Sequence, residues 1–402
     1  MSTVTSLFTG RVLHITRDFP PRSTGGISTA VGSMVRASRA AGVDCAVVSF
    51  DAWRPRAHKA GPARTVARLE NLVEGDPTTA VTVLRLTTPA QLADAGMFVT
   101  QFQPHVLHVH HSTLWPFAAE ARERLSIPAL LTVHVLQAEQ DRLRGIYQPT
   151  HSSVTQATAL AQADSIHAPS RTVADILARA LSDRRSRIHT IPLAIHDTPI
   201  AQHAATRRTP EGDGPVIYAG RFADINGTSE LFAAIPEILY RVPSAHFVIA
   251  GGIPENLQSE KRWRKRWETF APDNVRKHVR FAGWLDQADL HRLYSQARIL
   301  VSVGWFETFG LTVLEAMLFG LAISATSAGG VAELITHEHT GLLAAPRDTN
   351  SFIGNTVALL RQPERALELG AAAARKARAE YLWSRVLSRL TTVYRALRPD
   401  QA

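Results

Sequence analysis

The stretch Ile299-Leu-Val-Ser-Val-Gly-Trp-Phe-Glu-Thr-Phe-Gly-Leu-Thr-Val-Leu-Glu-Ala-Met-Leu-Phe-Gly-Leu-Ala-Ile-Ser-Ala325 reads, in order, as a strand, a loop, a helix and a second strand. The apolar runs 299–303 and 321–325 are short, as buried strands are. Between them, Gly310-Leu-Thr312 has the look of a helix N-terminus, with Glu307 in the loop before it and Glu315 one turn inside. At such an end the backbone N–H groups of Gly310, Leu311 and Thr312 lack intrahelical partners and favour an anion, most simply a phosphate. Two acids beside a phosphate alone make little sense, because they repel it. They make sense if the ligand also carries hydroxyls, since a carboxylate is an acceptor and can hold a diol. Phosphate plus diols describes a nucleotide sugar.

The same alternation extends outward in both directions. In the first half the strand candidates are 11–16, 43–50, 81–86, 106–110, 129–135, 165–168 and 188–192. The first helix is expected from Ile27 to Ala41, with Ser28 or Thr29 near its start and Gly42 as its stop. A segment rich in Thr, Pro, Asp and Gly, 197–215, reads as a linker. Beyond it come strand candidates 216–220, 246–250 and 279–282, then the two quoted above. Strands separated by helices predict an α/β chain of two doubly wound units, residues 1–198 and 199–379, with ligands outside the carboxyl ends of the strands. The region 368–397 reads as helical, with Tyr381, Leu382, Trp383, Val386, Leu390 and Tyr394 at helical spacing. Core packing explains that spacing; so does a helix over about 380–402 that crosses back to complete the first domain.

Composition narrows the class. A chain of 402 residues, 45% hydrophobic and 20% charged, is long enough for two domains with their own cores. Its one cysteine, Cys45, excludes an intrachain disulfide and fits a reducing cytoplasm. The first ten residues lack the charged and long apolar regions of a signal peptide, and no apolar run is long enough to span a membrane. The formal charge of +9 is carried almost wholly by arginine. A genome-composition effect accounts for it more simply than an anionic partner does, and no nucleic-acid motif accompanies it.

In the second half, Ala219-Gly-Arg-Phe-Ala-Asp-Ile-Asn-Gly227 places Arg221 directly after a strand. A guanidinium there binds a diphosphate with two parallel hydrogen bonds, or makes a surface salt bridge; the neighbouring two-glutamate element favours the first. Downstream stand Ala328-Gly-Gly-Val-Ala-Glu-Leu-Ile335 and Gly341-Leu-Leu343; upstream stand Phe19-Pro-Pro21, Gly25-Gly26 and Thr132-Val-His134. With these elements in order, the chain resembles the retaining nucleotide-sugar glycosyltransferases of glycosyltransferase family 4. Their GT-B fold sets two Rossmann-like domains facing a central cleft. The likeness covers most of the chain, more strongly in the second half.

That resemblance implies a role for each matching position. Arg221 grips the donor diphosphate, Glu315 the ribose diol, and Glu307 the transferred sugar near its 3-hydroxyl. Phe309, Gly310, Leu311 and Thr312 line the donor, His134 sits beside the sugar ring, and Gly26 lets the first domain's loop approach the phosphates. It implies no metal and no cofactor beyond the nucleotide sugar, with UDP the commonest nucleotide and GlcNAc or glucose the sugar. The bond to the anomeric carbon breaks with retention, and the leaving diphosphate takes the acceptor's proton, so catalysis is mainly stabilisation of departing charge and orientation of the acceptor.

Three positions depart from the family pattern. A Lys-Gly pair usually follows the Gly-Arg step, and here it is Asn226-Gly227, which removes a cation from the donor side unless another, such as Arg22, replaces it. The usual Pro-Asn-Gly step at the end of the first domain is Pro192-Leu-Ala194, and His134 is followed by Val135 where Asp is common. These departures suggest a specialised branch with a small hydroxylated acceptor, for which a natural-product aminocyclitol is one choice. A lipid-linked acceptor and a non-catalytic nucleotide-sugar binder are the rivals, and a dinucleotide dehydrogenase fails because 18–26 holds no Gly-x-Gly-x-x-Gly.

Two further clusters invite readings. His105, His108, His110 and His111 suggest zinc, yet no cysteine or His-Glu-x-x-His pattern supports a metal site. His110 and His111 are instead expected at a strand end facing the acceptor. Lys261-Arg-Trp-Arg-Lys-Arg-Trp267 puts Trp263 and Trp267 on one helical face among cations. A solvated helix with both indoles docked on its own domain is favoured over one lying on an anionic membrane. The expected partners are the sugar nucleotide and a small acceptor, on a monomer or homodimer.

Overall fold

The computed structural model describes residues 8–22, 25–51, 67–72, 80–196, 214–252 and 257–398. Most of the expected linker, the boundary between residues 198 and 199, and the first seven residues lie outside this set. The described chain divides into two compact units. One holds the residues up to Asp141, Ile146–His196 and those from Trp383 on; the other holds Arg142–Gly145 and the residues up to Leu382.

Unit 1 is built on β1 (Arg11–Thr16), β2 (Asp44–Ser49), β3 (Arg68–Leu72), β4 (Val81–Arg85), β5 (Val106–Val109), β6 (Ala129–Thr132), β7 (Ser165–Ala168) and β8 (Ile188–Thr190). They form one sheet in the order β3-β4-β2-β1-β5-β6-β7-β8. All neighbours pair in parallel except β3 with β4. The central strands are buried on both faces, which is why they read as continuous apolar runs. Strand β3, Arg-Leu-Glu-Asn-Leu, is mostly exposed at the edge and has no apolar signature; an ion pair from Arg85 Nε to Glu70 Oε2 at 2.6 Å ties it to β4.

The first helix, Gly26–Ala40, starts one residue earlier than expected, and no side chain caps it: Ser28 lies inside the first turn with its hydroxyl buried. The last helix is also shorter than expected. Pro363–Glu380 and Trp383–Ala396 are separate helices. Tyr381, at the break, donates to the Glu333 carbonyl at 3.4 Å within unit 2. Trp383 donates from Nε1 to Ser33 Oγ at 3.0 Å and from its backbone N–H to Ile195 O at 3.2 Å within unit 1.

Unit 2 is built on β9 (Val216–Ala219), β10 (Phe247–Ala250), β11 (Val279–Gly283), β12 (Ile299–Ser302), β13 (Ala322–Thr326) and β14 (Leu342–Ala344). Their order, β11-β10-β9-β12-β13-β14, is all parallel and reverses direction between β9 and β12. A ligand crevice opens at such a reversal, outside the carboxyl ends of the strands. The basic run lies on the helix Leu257–Phe270, where Trp267 is 2% exposed and packs with Trp263 around Phe232, at ring distances of 5.1 and 6.1 Å. Both indoles therefore serve unit 2's own core. No helix among the described residues is long and apolar enough to cross a membrane.

Candidate active site

The loops after β9 and β12 meet at the reversal point of unit 2. Gly227, at φ +74°, makes the meeting possible: a Cβ there would lie 1.9 Å from Val303 O. The Trp305 backbone N–H then donates to Ile225 O at 2.9 Å. The turn after β9 is organised around the Arg221 carbonyl, which accepts from Asn226 Nδ2 at 2.8 Å and Tyr218 Oη at 3.2 Å. These bonds leave the Arg221 side chain exposed at the strand end. They also change the meaning of Asn226, whose amide N–H is engaged in shaping the loop.

Glu307 is half-buried in the facing loop. Burial pushes its carboxyl up from the usual range, and the Arg221 guanidinium pulls it back. Its backbone is fixed from behind by Gly329 and Gly330: the Gly330 N–H donates to Glu307 O at 2.8 Å, and a Cβ on Gly329 would lie 2.1 Å from that oxygen. The helix Leu311–Leu318 follows, with Gly310 at its N-cap in the left-handed region and no side-chain cap. Its first amides thus lie in the same loop cluster as Glu307 and Arg221, as the quoted stretch suggested.

The two glutamates differ sharply. Glu315 is 4% exposed, and its oxygens accept from Gln287 Nε2 at 2.9 Å and Tyr294 Oη at 3.1 Å. Burial raises its carboxyl and these two donors lower it. Phe309 corrects an expectation: its ring is 4% exposed and packs edge-on against Tyr381 at 6.0 Å, so only its backbone can line a donor. Trp305 donates from Nε1 to Glu230 Oε1 at 2.7 Å, and the Arg347 guanidinium stacks 3.9 Å above its ring. Arg22 belongs to unit 1, 3.7 Å from Asp51.

Unit 1 places histidines on or just beyond four adjacent strands. His14 and His108 face each other on β1 and β5, and Thr132 faces His167 on β6 and β7. Two residues along from His108 and Thr132, on the same faces, come His110 and His134. His14 Nδ1 lies 3.0 Å from His110 Nε2, and His110 Nδ1 lies 3.1 Å from His134 Nε2. A second series links Tyr394 Oη, His108, Thr132 Oγ1, His167 and Ile191 O at 2.7, 2.6, 2.9 and 2.7 Å. Burial holds all five imidazoles below their usual pKa, His14 at about 3 and His167 at about 4, so they are neutral.

His110 is 1% exposed with both ring nitrogens bonded to other histidines, and it forms part of the pocket wall from that buried position. His111 is half-buried and lines a small pocket with His134, Ser112, Val135, Gln156 and Ile27. Gly26 begins the helix beside that pocket. His105 bonds the Arg11 amide, well apart from a ligand role. His14, His108 and His110 each bring a nitrogen within 4.8 Å of the others. A metal ion there would have to displace one hydrogen bond at each of His108 and His110, with no carboxylate in that trio to offset its charge.

With both sites described, comparison with known proteins is decisive. Residues 214–362 match the family described as glycosyl transferases group 1, and residues 25–194 match the glycosyl transferase 4-like domain. The chain belongs to the group 1 glycosyltransferases. Together the two matches span more than three quarters of this glycosyltransferase. Glycogen synthase of Mycobacterium tuberculosis is 24% identical over 96% of this chain and 94% of its own length. Sucrose-phosphate synthase from Thermosynechococcus elongatus superposes with a TM-score of 0.79 at 21% identity, covering 98% of this chain and 100% of that one. The Anabaena protein HepE in complex with UDP-glucose superposes with a TM-score of 0.70 at 14% identity, covering 96% and 99%. The two Rossmann-like sheets are those of the GT-B fold.

Several residues of the glycosyltransferase's sites were invisible to sequence reasoning. Gln287 and Tyr294 reach Glu315 from another helix, 28 and 21 positions away. His14 reaches His110 across 96 positions. No local pattern announces either pair; the only available signal was that His14 is a polar residue in the middle of an apolar strand.

Proposed function

We propose that this enzyme transfers a hexose of the glucose or GlcNAc type from a UDP-sugar to a small hydroxylated acceptor of the sugar or cyclitol class, with retention and without a metal ion. The observation that carries this reading is the meeting of Arg221 and Glu307 at the reversal of the unit 2 sheet, beside the helix beginning at Leu311. A guanidinium and a free helix end suit a diphosphate. A half-buried carboxylate facing them suits a sugar hydroxyl and repels a bare phosphate.

Each group then has a task. Arg221 and the amides of Leu311 and Thr312 take the negative charge that grows on the departing diphosphate, the work a cation does in other transferases. Glu307 orients the sugar, and Glu315 the ribose. Arg347, stacked on Trp305 two residues before Glu307, supplies positive charge to an edge that has Asn226 in place of lysine. In unit 1 the pocket at His111 and His134 receives the acceptor's hydroxyl side. A UDP-glucose complex of HepE and the name of sucrose-phosphate synthase support the donor and the small acceptor.

A thermal-shift screen across UDP-, GDP-, ADP- and TDP-sugars tests the donor, because a ligand bound only by the folded state stabilises by mass action. The expected result is the largest rise in Tm with a UDP-sugar. A larger rise with GDP- or ADP-sugars would overturn the nucleotide assignment. Tight UDP-sugar binding with no UDP release under any acceptor would favour a non-catalytic binder.

A further inference from the structure

The two hydrogen-bonded series in unit 1 have a direction that valence alone determines. A neutral imidazole has one N–H and one bare nitrogen. The Ile191 carbonyl only accepts, so His167 Nε2 carries its proton and donates at 2.7 Å. His167 Nδ1 is then bare and accepts from the Thr132 hydroxyl at 2.9 Å. Thr132 Oγ1 in turn accepts from His108 Nε2 at 2.6 Å, and bare His108 Nδ1 accepts from Tyr394 Oη at 2.7 Å. Every member of that series is held in one tautomer by a single backbone carbonyl.

The other series, His14–His110–His134, is anchored at its inner end. His14 Nε2 is buried with no hydrogen-bond partner among the described residues. A buried orphan N–H is rarer and costlier than an under-used acceptor, so the bare nitrogen sits there. The His14 proton is then on Nδ1 and donates to His110 Nε2 at 3.0 Å. His110 must next donate from Nδ1 to His134 Nε2 at 3.1 Å. His134 is left with its proton on Nδ1.

We propose that His14 and His110 are positioning residues that set the tautomer of His134, holding its Nε2 as an acceptor and its proton on Nδ1, so that His134 lines the unit 1 pocket in its Nδ1–H form. This rests on the reading that the pocket lined by His111 and His134 receives the acceptor. An Nδ1–H edge stabilises a hydroxyl or growing negative charge and cannot take a proton.

Long-range 1H–15N correlation of the imidazoles in the full-length protein reads the tautomer directly, independently of any activity. The expected result is protonation of His134 at Nδ1. Protonation at Nε2 in the wild type overturns the proposal, and this holds even if no variant folds. His14→Phe removes the donor to His110 at little structural cost, because His14 Nε2 satisfies nothing. It is expected to introduce the Nε2–H form of His134 and to lower kcat for UDP release from UDP-glucose about three- to tenfold, the worth of one net hydrogen bond, with KM little changed. His14→Asn, whose amide N–H replaces Nδ1–H, is expected to restore both. A His134 tautomer indifferent to His14→Phe overturns the relay. A tautomer that moves while UDP release does not leaves the relay standing and removes His134 from the reaction.

Discussion

Tyr294 donates its phenolic proton to Glu315 Oε2 at 3.1 Å inside unit 2, where burial keeps the phenol itself protonated. With Gln287 on the other oxygen, this bond aims a 4% exposed carboxyl and partly offsets the rise that burial imposes on it. Tyr294→Phe leaves one oxygen of a buried carboxylate without that donor, which costs about 1–3 kcal/mol. The expected outcome is a loss of stability of that size in urea unfolding. The Glu315 carboxyl rises further, and UDP binds more weakly by calorimetry. Unchanged UDP affinity would separate Glu315 from the ribose.

Arg85 is buried and bonded to four groups: Asp51 at 2.9 Å, Glu70 at 2.6 Å, and the carbonyls of Phe19 and Pro20 at 3.0 and 2.7 Å. It thereby fastens the Phe19–Pro21 turn, part of the family resemblance, to the sheet. Arg85→Met keeps the volume and removes the charge, leaving Asp51 with Arg22 at 3.7 Å and Glu70 with Arg68 at 2.9 Å. Breaking one side of a buried pair costs about 3–5 kcal/mol. Equilibrium denaturation is expected to show a loss in that range, and a loss under 1 kcal/mol counts against the network.

Gly227 is where the two loops of unit 2 touch. Alanine there must adopt φ +74° and place its Cβ 1.9 Å from Val303 O. The left-handed backbone alone costs about 1–2 kcal/mol, before the clash is relieved. Gly227→Ala is expected to lower Tm and, by pushing the Arg221 loop from the Glu307 loop, to weaken UDP binding at least tenfold. Wild-type affinity in a folded variant would show that the contact is unnecessary.

The histidine layer makes the fold sensitive to acid. His14, His108, His110, His134 and His167 all have pKa values lowered by burial. Below the unfolded value of about 6.5, the unfolded chain binds protons that the folded chain refuses. Stability is therefore complete above that pH and falls as pH drops, by up to about 1.4 kcal/mol per pH unit for each histidine. The raised carboxyls of Glu307 and Glu315 have the opposite sign, since the folded state holds their protons at higher pH than the unfolded state does. Two carboxyls do not offset five histidines. Urea unfolding at stepped pH is expected to show a steep loss between about pH 6.5 and 4.5; a flat profile there contradicts the neutral-histidine assignment.

What sequence could and could not reveal follows from the range of the forces involved. β1 and β7 coincide with their apolar runs, because burial on both faces is a local signal. Strand β3 is charged and at an edge, so only its pairing with β4 makes it a strand. The break at Tyr381–Leu382 lies inside a helical pattern, and the tertiary bonds of Tyr381 and Trp383 on either side of it leave no trace in the spacing. Arg221, Glu307 and Gly310 stand out in the sequence because backbone constraints near a strand end leave a compact motif. The partners of His134 and Glu315 come from remote strands and helices, and spacing carries no trace of them.

The central claim, that Arg221 and Glu307 form the transferase site, is tested most directly by UDP release. UDP-glucose and UDP-GlcNAc are each supplied with a panel of sugar, sugar-phosphate and cyclitol acceptors. The wild type is compared with Glu307→Gln and Arg221→Ala, all confirmed folded by circular dichroism. The account predicts acceptor-dependent UDP release from the wild type and a loss of at least a hundredfold in either variant, the size of one missing charge-stabilising group. Turnover at the wild-type rate in either folded variant would contradict it.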